Sequence, residues 1–370
     1  MSDEPLDLDD ELEVDALCGR FESARRAGET LDVPAFVAAA PARLRERLEE
    51  ELTALETELA AADDAAPVPA ALPARLGRYR VVAKIGEGGM GAVYEAVQDR
   101  PRRRVALKVV RAELTSPATT RRFDREVKLL GHLHHPGIAQ IFEAGVEPAR
   151  DGRPAIPYLV MELVRGEPLL AHAAERALDV RGRLELVRRI CDAVQHAHDQ
   201  GVVHRDLKPA DILVIADDRS STTRGGAGFV DLGRPKVLDF GVARATGEDA
   251  PQTLETRVGQ LVGTISHMSP EQLEGDSAAV DERADVYAIG VILYELLAGR
   301  LPHDVSGLSL PAAIERIRTE EPTRLGLVDP RLRGDVEVIV ARAMEKDRRR
   351  RYPSALELAA DLQRHLDDEP

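Results

Sequence analysis

The sequence predicts an α+β fold of two lobes, a β-rich lobe followed by a helical lobe, with a small helical N-terminal region in front. From Tyr79 onward, short runs rich in Val and Ile alternate with Gly-rich or Arg/Pro-containing turns, which is typical of strands. Helical spacing of apolar residues returns near Thr119 and dominates after Pro168. A block of strands followed by a block of helices favours two lobes with a cleft between them.

The N-terminal region, residues 1–62, is predicted to form a small helical bundle. Apolar residues recur there at helical spacing in two stretches, Leu17, Phe21, Ala24 and Leu44, Leu48, Leu52, Leu55, Leu59. A short third helix is expected around Pro34–Ala39. The leucine stripe spans little more than about two heptads, which favours a bundle core over a coiled-coil seam. Residues 63–76 follow as an Ala/Pro-rich linker.

The charge of the chain is concentrated at its front. The whole chain has 65 acidic and 50 basic residues, a formal net charge of −15, and residues 1–76 hold 19 of the acidic and 7 of the basic ones. The remaining 46 acidic and 43 basic residues form no basic excess of the kind that binds nucleic acid. We therefore expect no nucleic-acid partner, and the acidic helices are expected to have a partner that the sequence does not identify.

Cysteine content and hydropathy bear on the compartment. Cys18 and Cys191 cannot build a disulfide framework and have no cysteine at metal-ligand spacing, which suits a reducing environment. The acidic start of the chain does not resemble a secretory signal. The longest apolar run, residues 286–298, contains Glu295 and is too short to span a membrane. These observations predict a cytoplasmic protein, and they leave open whether a membrane or sensor region follows in a longer chain.

Two motifs of the β-rich block point to phosphate binding. A G-x-G-x-x-G motif runs from Gly86 to Gly91 and is followed by the strand-like run AVYEAV. In a dinucleotide-binding fold the motif opens a helix, so here the glycines are predicted at a hairpin tip, where the backbone can approach phosphates closely. An apolar strand, VALK, then ends in Lys108. Taken alone, this lysine is most simply an edge-strand residue in solvent.

Three further motifs follow in the helical block: HRDLKPAD at 204–211, DFG at 239–241 and SPE at 269–271. In this order and at these intervals, the five motifs resemble a eukaryotic-type serine/threonine protein kinase of bacteria. The resemblance implies a kinase domain over 77–367, with an N-lobe at 77–163 and a C-lobe at 164–367. One Ser/Thr/Gly-rich insert, at about 216–234, is predicted to be a mobile surface loop.

The resemblance also implies an activity. It predicts transfer of the γ-phosphoryl group of Mg²⁺-ATP to Ser or Thr hydroxyls of protein substrates, with Mn²⁺ as an alternative metal. Activation by autophosphorylation in bacterial signalling is expected, with Thr253 and Thr256 as the candidate phosphosites. Homodimerisation is an expectation from the family for which this sequence carries no visible signal.

Each matching residue receives a role from the resemblance. The catalytic set is Asp206, Lys208, Lys108, Glu126 and Thr264. The nucleotide-binding set is Ile85, Gly86, Gly88, Gly91, Val93, Ala106, Lys108, Met161, Glu162, Val164 and Leu213. The metal ligands are Asp211 and Asp239, and the structural residues are Arg205, Glu271, Asp285 and Arg351. Among these, Arg205 is expected to meet an activation-loop phosphate, Glu271 to pair with Arg351, and Asp285 to anchor the catalytic loop.

The sequence departs from the family pattern in two places. Asp211 stands where the family has Asn, and a carboxylate can bind metal but cannot donate a hydrogen bond. Ile265 and His267 stand where the family usually has Pro and Tyr, which affects the expected peptide pocket. Three hypotheses therefore stay open: an active serine/threonine kinase, a nucleotide-binding pseudokinase, and a scaffold in which residues 1–62 are the working part.

Overall fold

A computed structural model of the chain describes residues 17, 21, 32–45, 48–49, 52, 74–88, 91–110, 130–131, 133–148, 155–216, 232–240, 265–274 and 280–369. The chain divides into two compact units, residues 1–71 and residues 72–370. In the described part, no helix has the length and apolarity needed to cross a membrane.

The first unit has an apolar core of its own. Helix α1 (Val33–Ala39) begins after Asp32, whose carboxylate accepts a hydrogen bond from the Ala35 amide at 3.3 Å, and a 3₁₀ turn (Ala42–Leu44) follows. The buried side chains of this core are Phe21, Val37, Ala40, Leu44, Leu48 and Leu52. The described leucines of the stripe thus pack against other residues of the same chain, as expected for a bundle core.

The second unit begins with an antiparallel sheet. Its strands are β1 (Arg75–Leu76), β2 (Tyr79–Gly88), β3 (Gly91–Gln98), β4 (Arg103–Val110), β5 (Ile141–Glu147) and β6 (Ile156–Glu162). Their order is β1-β2-β3-β4-β6-β5. Gly88 of β2 pairs with Gly91 of β3, so the prediction that the glycine motif lies at a hairpin tip is confirmed.

Helices dominate the rest of the second unit, around one small sheet. In chain order the elements are β7 (Glu167–Pro168), α2 (Leu169–Glu175), α3 (Val180–Asp199), a 3₁₀ turn (Pro209–Asp211), β8 (Ile212–Ile215), β9 (Arg234–Val237), α4 (Pro270–Leu273), α5 (Arg283–Ala298), α6 (Leu310–Thr319), α7 (Leu325–Val328), a 3₁₀ turn (Pro330–Leu332), α8 (Asp335–Ala343), a 3₁₀ turn (Arg348–Arg350) and α9 (Ala355–Leu366). Strand β8 lies between β7 and β9.

Helix α5 lies in the middle of the helical lobe. It contains the whole of the long apolar run, residues 286–298, and nearly all its side chains are buried. Gly290 lets α8 come close, because a Cβ at this position would lie 2.8 Å from the Cβ of Ala343. The helix begins near a buried Asp285, which gives the core a fixed polar group next to the predicted catalytic loop.

The predicted insert is described only at its two ends. Residue 216 follows β8, and the chain is described again from Leu232, two residues before β9 begins at Arg234. The strand therefore starts within the range that the sequence assigns to the insert. Residues 217–231 lie outside the described part of the chain.

Candidate active site

Lys108 lies on a central strand and not on an edge. Strand β4 is hydrogen-bonded to β3 and β6, with Lys108 opposite Val93 and Leu159. The residue is 6% exposed, and its Nζ lies 3.0 Å from Oδ2 of Asp239. The simple interpretation of this lysine as an edge residue in solvent is therefore wrong, because a buried ammonium group needs a partner and has one.

The HRDLKPAD segment brings a lysine and two carboxylates together. Lys208 donates a hydrogen bond from Nζ to Oδ2 of Asp206, and the same Nζ lies 3.7 Å from Oδ2 of Asp211. The spacing results from the 3₁₀ turn 209–211, which folds Asp211 back toward the lysine. Burial lowers the pKa of Lys208, but the neighbouring carboxylates of Asp206 and Asp211 outweigh it, so the pKa is raised and the group stays charged.

The carboxyl group of Asp211 lies in a site that disfavours its charged form. Its pKa is raised to about 6, chiefly because burial disfavours the charged form; Lys208 and His204 lower the pKa, and Asp206 and Asp239 add to the increase. Loss of solvent is thus a larger cause of the raised pKa than repulsion by the other two carboxylates. The ionised form is therefore the costly one in this site.

We expect Asp211→Asn to stabilise the protein at neutral pH. A carboxyl group with a raised pKa destabilises the fold when it ionises, so the penalty is absent below 3.8, grows as the pH rises and is complete above about 6. The free energy of unfolding should rise by up to about 3 kcal/mol at pH 7.5 in metal-free buffer.

Urea denaturation of the wild type and of Asp211→Asn at pH 7.5 and pH 4.5 measures this difference. The stability gap between the two proteins should shrink at the lower pH, since Asp211 is then largely protonated. An equal gap at both pH values would show that burial of the charged carboxylate is not its source.

The catalytic loop is anchored by Asp285 of helix α5. The Asp285 carboxylate accepts hydrogen bonds from the backbone N–H groups of His204 and Arg205, both at 2.8 Å, and from Nε2 of His198 at 2.7 Å. Arg205 has a φ of 67°, which is uncommon for a residue with a Cβ. Gln272 also donates to the Arg205 carbonyl. The turn therefore depends on partners from two later helices.

The DFG segment is tied to the same loop through its backbone. The Leu238 amide donates to the carbonyl of Asp211 at 2.8 Å, and Nε2 of His204 donates to the Leu238 carbonyl at 3.0 Å. The rings of His204 and Phe240 lie 4.8 Å apart between centroids. Asp239 follows with a φ of 56°, a conformation that Asp tolerates better than most residues. These contacts join the two segments that carry the predicted metal ligands, Asp211 and Asp239.

The predicted nucleotide-binding residues fall on both sides of the cleft. Ala106 lies opposite Met161 across β4 and β6, and both are buried. Gly86 pairs with Val93 across the hairpin, while Ile85 is half-exposed. Leu213 and Val164, which belong to the helical lobe, are partly buried. Gly88 pairs with Gly91 at the end of the same hairpin.

Glu162 has contacts that the sequence analysis did not predict. Its carboxylate accepts hydrogen bonds from Nζ of Lys236 on β9 and from the backbone amide of Gln140 at 3.2 Å. The Glu162 amide donates to the Gln140 carbonyl at 2.8 Å, so this amide is already engaged. A lysine two residues before the leucine of the DFG segment is the only sequence signal for this pair, and spacing alone does not connect it to the hinge.

The segment around SPE is held by side-chain pairs. The guanidinium of Arg351 pairs with both oxygens of Glu271, at 2.6 and 2.7 Å. His267 is buried with Nε2 3.1 Å from Oε2 of Glu295, and Ile265 packs among apolar residues of the helical lobe. Ile265 and His267, the residues that stand where the family usually has Pro and Tyr, are thus both packed in the interior. Four predicted residues, Glu126, Thr253, Thr256 and Thr264, lie outside the described residues.

Comparison with known proteins identifies the family. A family model described as the protein kinase domain matches residues 79–356. The chain belongs to the protein kinase family. Its fold is similar to that of the kinase domain of Mycobacterium tuberculosis PknI, with a TM-score of 0.58 and 26% identity, covering 80% of this chain and 100% of that domain. This confirms the predicted bilobal α+β kinase fold.

Bacterial serine/threonine kinases are among the relatives of this kinase chain. It is 38% identical over 302 residues to a probable serine/threonine-protein kinase of Streptomyces coelicolor, covering 80% of this chain and 41% of the relative. It is 34% identical over 296 residues to PknB of Mycobacterium tuberculosis, covering 79% of this chain and 44% of PknB. The chain thus spans about two fifths of the length of the curated relatives it matches, and the predicted resemblance to bacterial serine/threonine kinases is confirmed.

Proposed function

We propose that this protein is an ATP-dependent serine/threonine protein kinase that uses Mg²⁺. The observation that carries the proposal is the contact between the buried Lys108 of the β-rich lobe and the partly buried Asp239 of the helical lobe, whose charged atoms lie 3.0 Å apart. Phosphoryl transfer requires positioning and charge neutralisation more than covalent chemistry by the protein. A buried cation beside a carboxylate supplies both requirements.

The phosphates would be bound from the β-rich lobe. The hairpin of β2 and β3 presents backbone N–H groups close to the strand that carries Lys108, because Val93 pairs with both Gly86 and Lys108. The Lys108 ammonium would neutralise phosphate oxygens and hold them in line. Val93, Ala106 and Leu213 would enclose the base, with Met161 at the back of the pocket.

The substrate hydroxyl would be bound from the catalytic loop. Asp206 would accept the proton of the hydroxyl on its carboxylate as the oxygen attacks the γ-phosphorus. Lys208, already hydrogen-bonded to Asp206, would offset the charge that builds up on the transferred group. A lysine two positions after the base is the arrangement found in serine/threonine kinases, which is why we propose Ser and Thr as acceptors.

The donor set fits a magnesium ion. Asp211 and Asp239 offer carboxylate oxygens, which are the ligands Mg²⁺ prefers, and Mg²⁺ is commonly held by one or two carboxylates together with substrate phosphates. Among the described residues, no three His, Cys, Asp or Glu side chains form a metal site by themselves. The ion, when bound with the nucleotide, would supply further charge neutralisation of the phosphates.

Autophosphorylation tests the proposal. Purified wild type is incubated with Mg²⁺-ATP and in parallel with Mn²⁺-ATP, beside Asp206→Asn and Asp211→Asn, and phosphosites are mapped by mass spectrometry. We expect the wild type to be labelled, with Thr253 or Thr256 among the sites, and Asp206→Asn to be silent. Labelling of Asp206→Asn at the wild-type rate would overturn the assignment of the base.

The same experiment separates the alternatives. If the wild type is silent with both metals while Asp211→Asn is labelled, Asp211 has made the domain a nucleotide-binding pseudokinase. If all three proteins are silent but ATP raises the melting temperature, nucleotide binding without transfer is indicated. If ATP has no effect on stability either, the scaffold hypothesis is favoured.

A further inference from the structure

A buried histidine of the helical lobe has a hydrogen-bond acceptor at each of its two ring nitrogens. His172, on helix α2, is fully buried. Its Nδ1 lies 3.0 Å from Oε2 of Glu167, and its Nε2 lies 3.0 Å from the carbonyl oxygen of Leu232. A neutral imidazole has one N–H group and could serve only one of these oxygens, whereas the imidazolium has two. The contacts are satisfied together only by the charged ring.

The charges around His172 favour that form. Hydrogen bonds from Arg176 lower the pKa of Glu167, burial opposes this, and the contact with His172 lowers it further, so this carboxylate is an acceptor at neutral pH. On α3, Arg189 pairs with Glu185 at 2.7 Å and donates to the carbonyl of Gly233, the residue after Leu232. Burying an imidazolium costs free energy that an adjacent carboxylate and a carbonyl dipole offset.

The hydrogen bond to the Leu232 carbonyl fixes the point where the chain enters the small sheet. Leu232 and Gly233 are the residues by which the chain returns from the insert to the small sheet. Nη1 of Arg189 donates to the Gly233 carbonyl at 2.9 Å, and the Gly233 φ of 67° is a conformation that favours glycine. A Cβ at Gly233 would lie 2.5 Å from a methyl group of Val214, so the return is closely packed.

Strand β9 starts directly after this return and leads to the DFG segment. Its register places Lys236 opposite Leu213 of β8. Lys236 in turn pairs with Glu162. A long connection between two paired strands is entropically costly to close, so a fixed point at its end contributes to holding the register. In this chain the fixed point is the Leu232 carbonyl.

We propose that His172 is a positively charged positioning residue, whose two N–H groups fasten the end of the insert to β7 and hold β9 in register under the nucleotide site. Without this ring both hydrogen bonds are lost, and β9 loosens at its start. The charge state of His172 does not depend on phosphoryl transfer. Its effect on the nucleotide rests on the proposed function.

Nitrogen-15 NMR of the histidine rings tests the charge state in the full chain. We expect both ring nitrogens of His172 to be protonated at pH 7.0 in the wild type, with the signals assigned by their loss in His172→Gln. In Glu167→Gln, which removes the counter-charge, one nitrogen should lose its proton at the same pH. His303 is the internal reference, because burial and the nearby Lys346 lower its pKa to about 4 and it should stay neutral.

Hydrogen exchange of β9 tests the fastening without any need for kinase activity. At pH 7.0, exchange protection of the backbone amides of Arg234, Lys236 and Val237 should be lower in His172→Gln than in the wild type. His365→Gln, a histidine variant on α9, should behave as the wild type.

Kinetics extends the test to the nucleotide. We expect His172→Gln to raise the KM for ATP roughly threefold to tenfold with kcat changed less than about twofold, because the lost contact affects binding and not transfer. A His172 ring with one protonated nitrogen at pH 7.0 would overturn the proposal, and so would β9 protection that is the same in His172→Gln. If the NMR and exchange results hold but the wild type transfers no phosphate, the proposed function fails and the fastening stands.

Discussion

We expect Lys108→Met to lower kcat by roughly 10²- to 10³-fold, the range found when one preorganised electrostatic group is removed from an active site. Methionine keeps most of the side-chain volume within the strand, so the sheet should stay intact. What is lost is the ammonium group that lies 3.0 Å from Asp239. Initial rates with a generic protein substrate, at saturating ATP, measure the change.

Lys84→Met is the matched control for this experiment. Lys84 belongs to the same sheet, but its Nζ pairs with Glu87 at the surface, and such pairs contribute little. Its kcat should stay within about twofold of the wild type. If both variants lost activity equally, the loss would reflect damage to the lobe and not the charge at Lys108. If Lys108→Met kept wild-type activity, the proposed phosphate contact would be wrong.

We also expect Arg351→Met to lower the free energy of unfolding by about 3 to 5 kcal/mol, the usual cost of breaking a buried ion pair from one side. The Arg351 guanidinium is fully buried and pairs with both oxygens of Glu271. It also donates to the backbone carbonyls of Arg283, Glu345 and Lys346. Without it, a buried carboxylate and several carbonyls lose their partner at once.

The neighbouring arginines provide the control for this prediction. Arg349 lies two residues earlier, is largely exposed and pairs with Asp347 at the surface. Arg349→Met should change the free energy of unfolding by less than about 0.5 kcal/mol in guanidinium titrations. Equal effects of the two substitutions would contradict the assignment of the stability to the buried pair.

The pair with Arg351 also predicts a pH dependence. Burial raises the pKa of Glu271, but its hydrogen bonds with Arg351 outweigh this and the pKa lies below 4.5. A lowered carboxyl pKa contributes stability that is present above 4.5 and is lost as the pH falls through the lowered value. Below pH 4.5 the difference in stability between the wild type and Glu271→Gln should therefore shrink.

The residues of the site that could be predicted are those in contiguous motifs. The hairpin of β2 and β3 follows from Gly86 to Gly91 and the strand-like runs beside them, because local sequence determines turns and alternation. Lys108, Asp206 and Asp239 were identified through motifs that carry their structural context with them. For these residues a short motif is informative, because the turn or strand that it predicts is determined by residues close together in the sequence.

Contacts between distant segments could not be predicted in the same way. Glu162 and Lys236 are 74 residues apart, and His172 and Leu232 are 60 apart, so no periodicity connects them. The burial of Lys108 depends on β6 pairing with β4, a crossover that local pattern does not determine. The raised pKa of Asp211 likewise follows from how deeply the loop is packed and not from the residue type.

The contacts of Asp285 with the catalytic loop have a consequence for how the protein is made. The loop amides of His204 and Arg205 are hydrogen-bonded to a carboxylate about eighty positions further along the chain. During synthesis the ribosome therefore releases the loop long before the residue that shapes it, and domains generally fold as units once their later segments emerge. A nascent chain that ends before helix α5 carries every motif from the hairpin to SPE and still lacks the turn on which its chemistry depends. We therefore expect the catalytic loop to adopt its turn only after helix α5 has been synthesised.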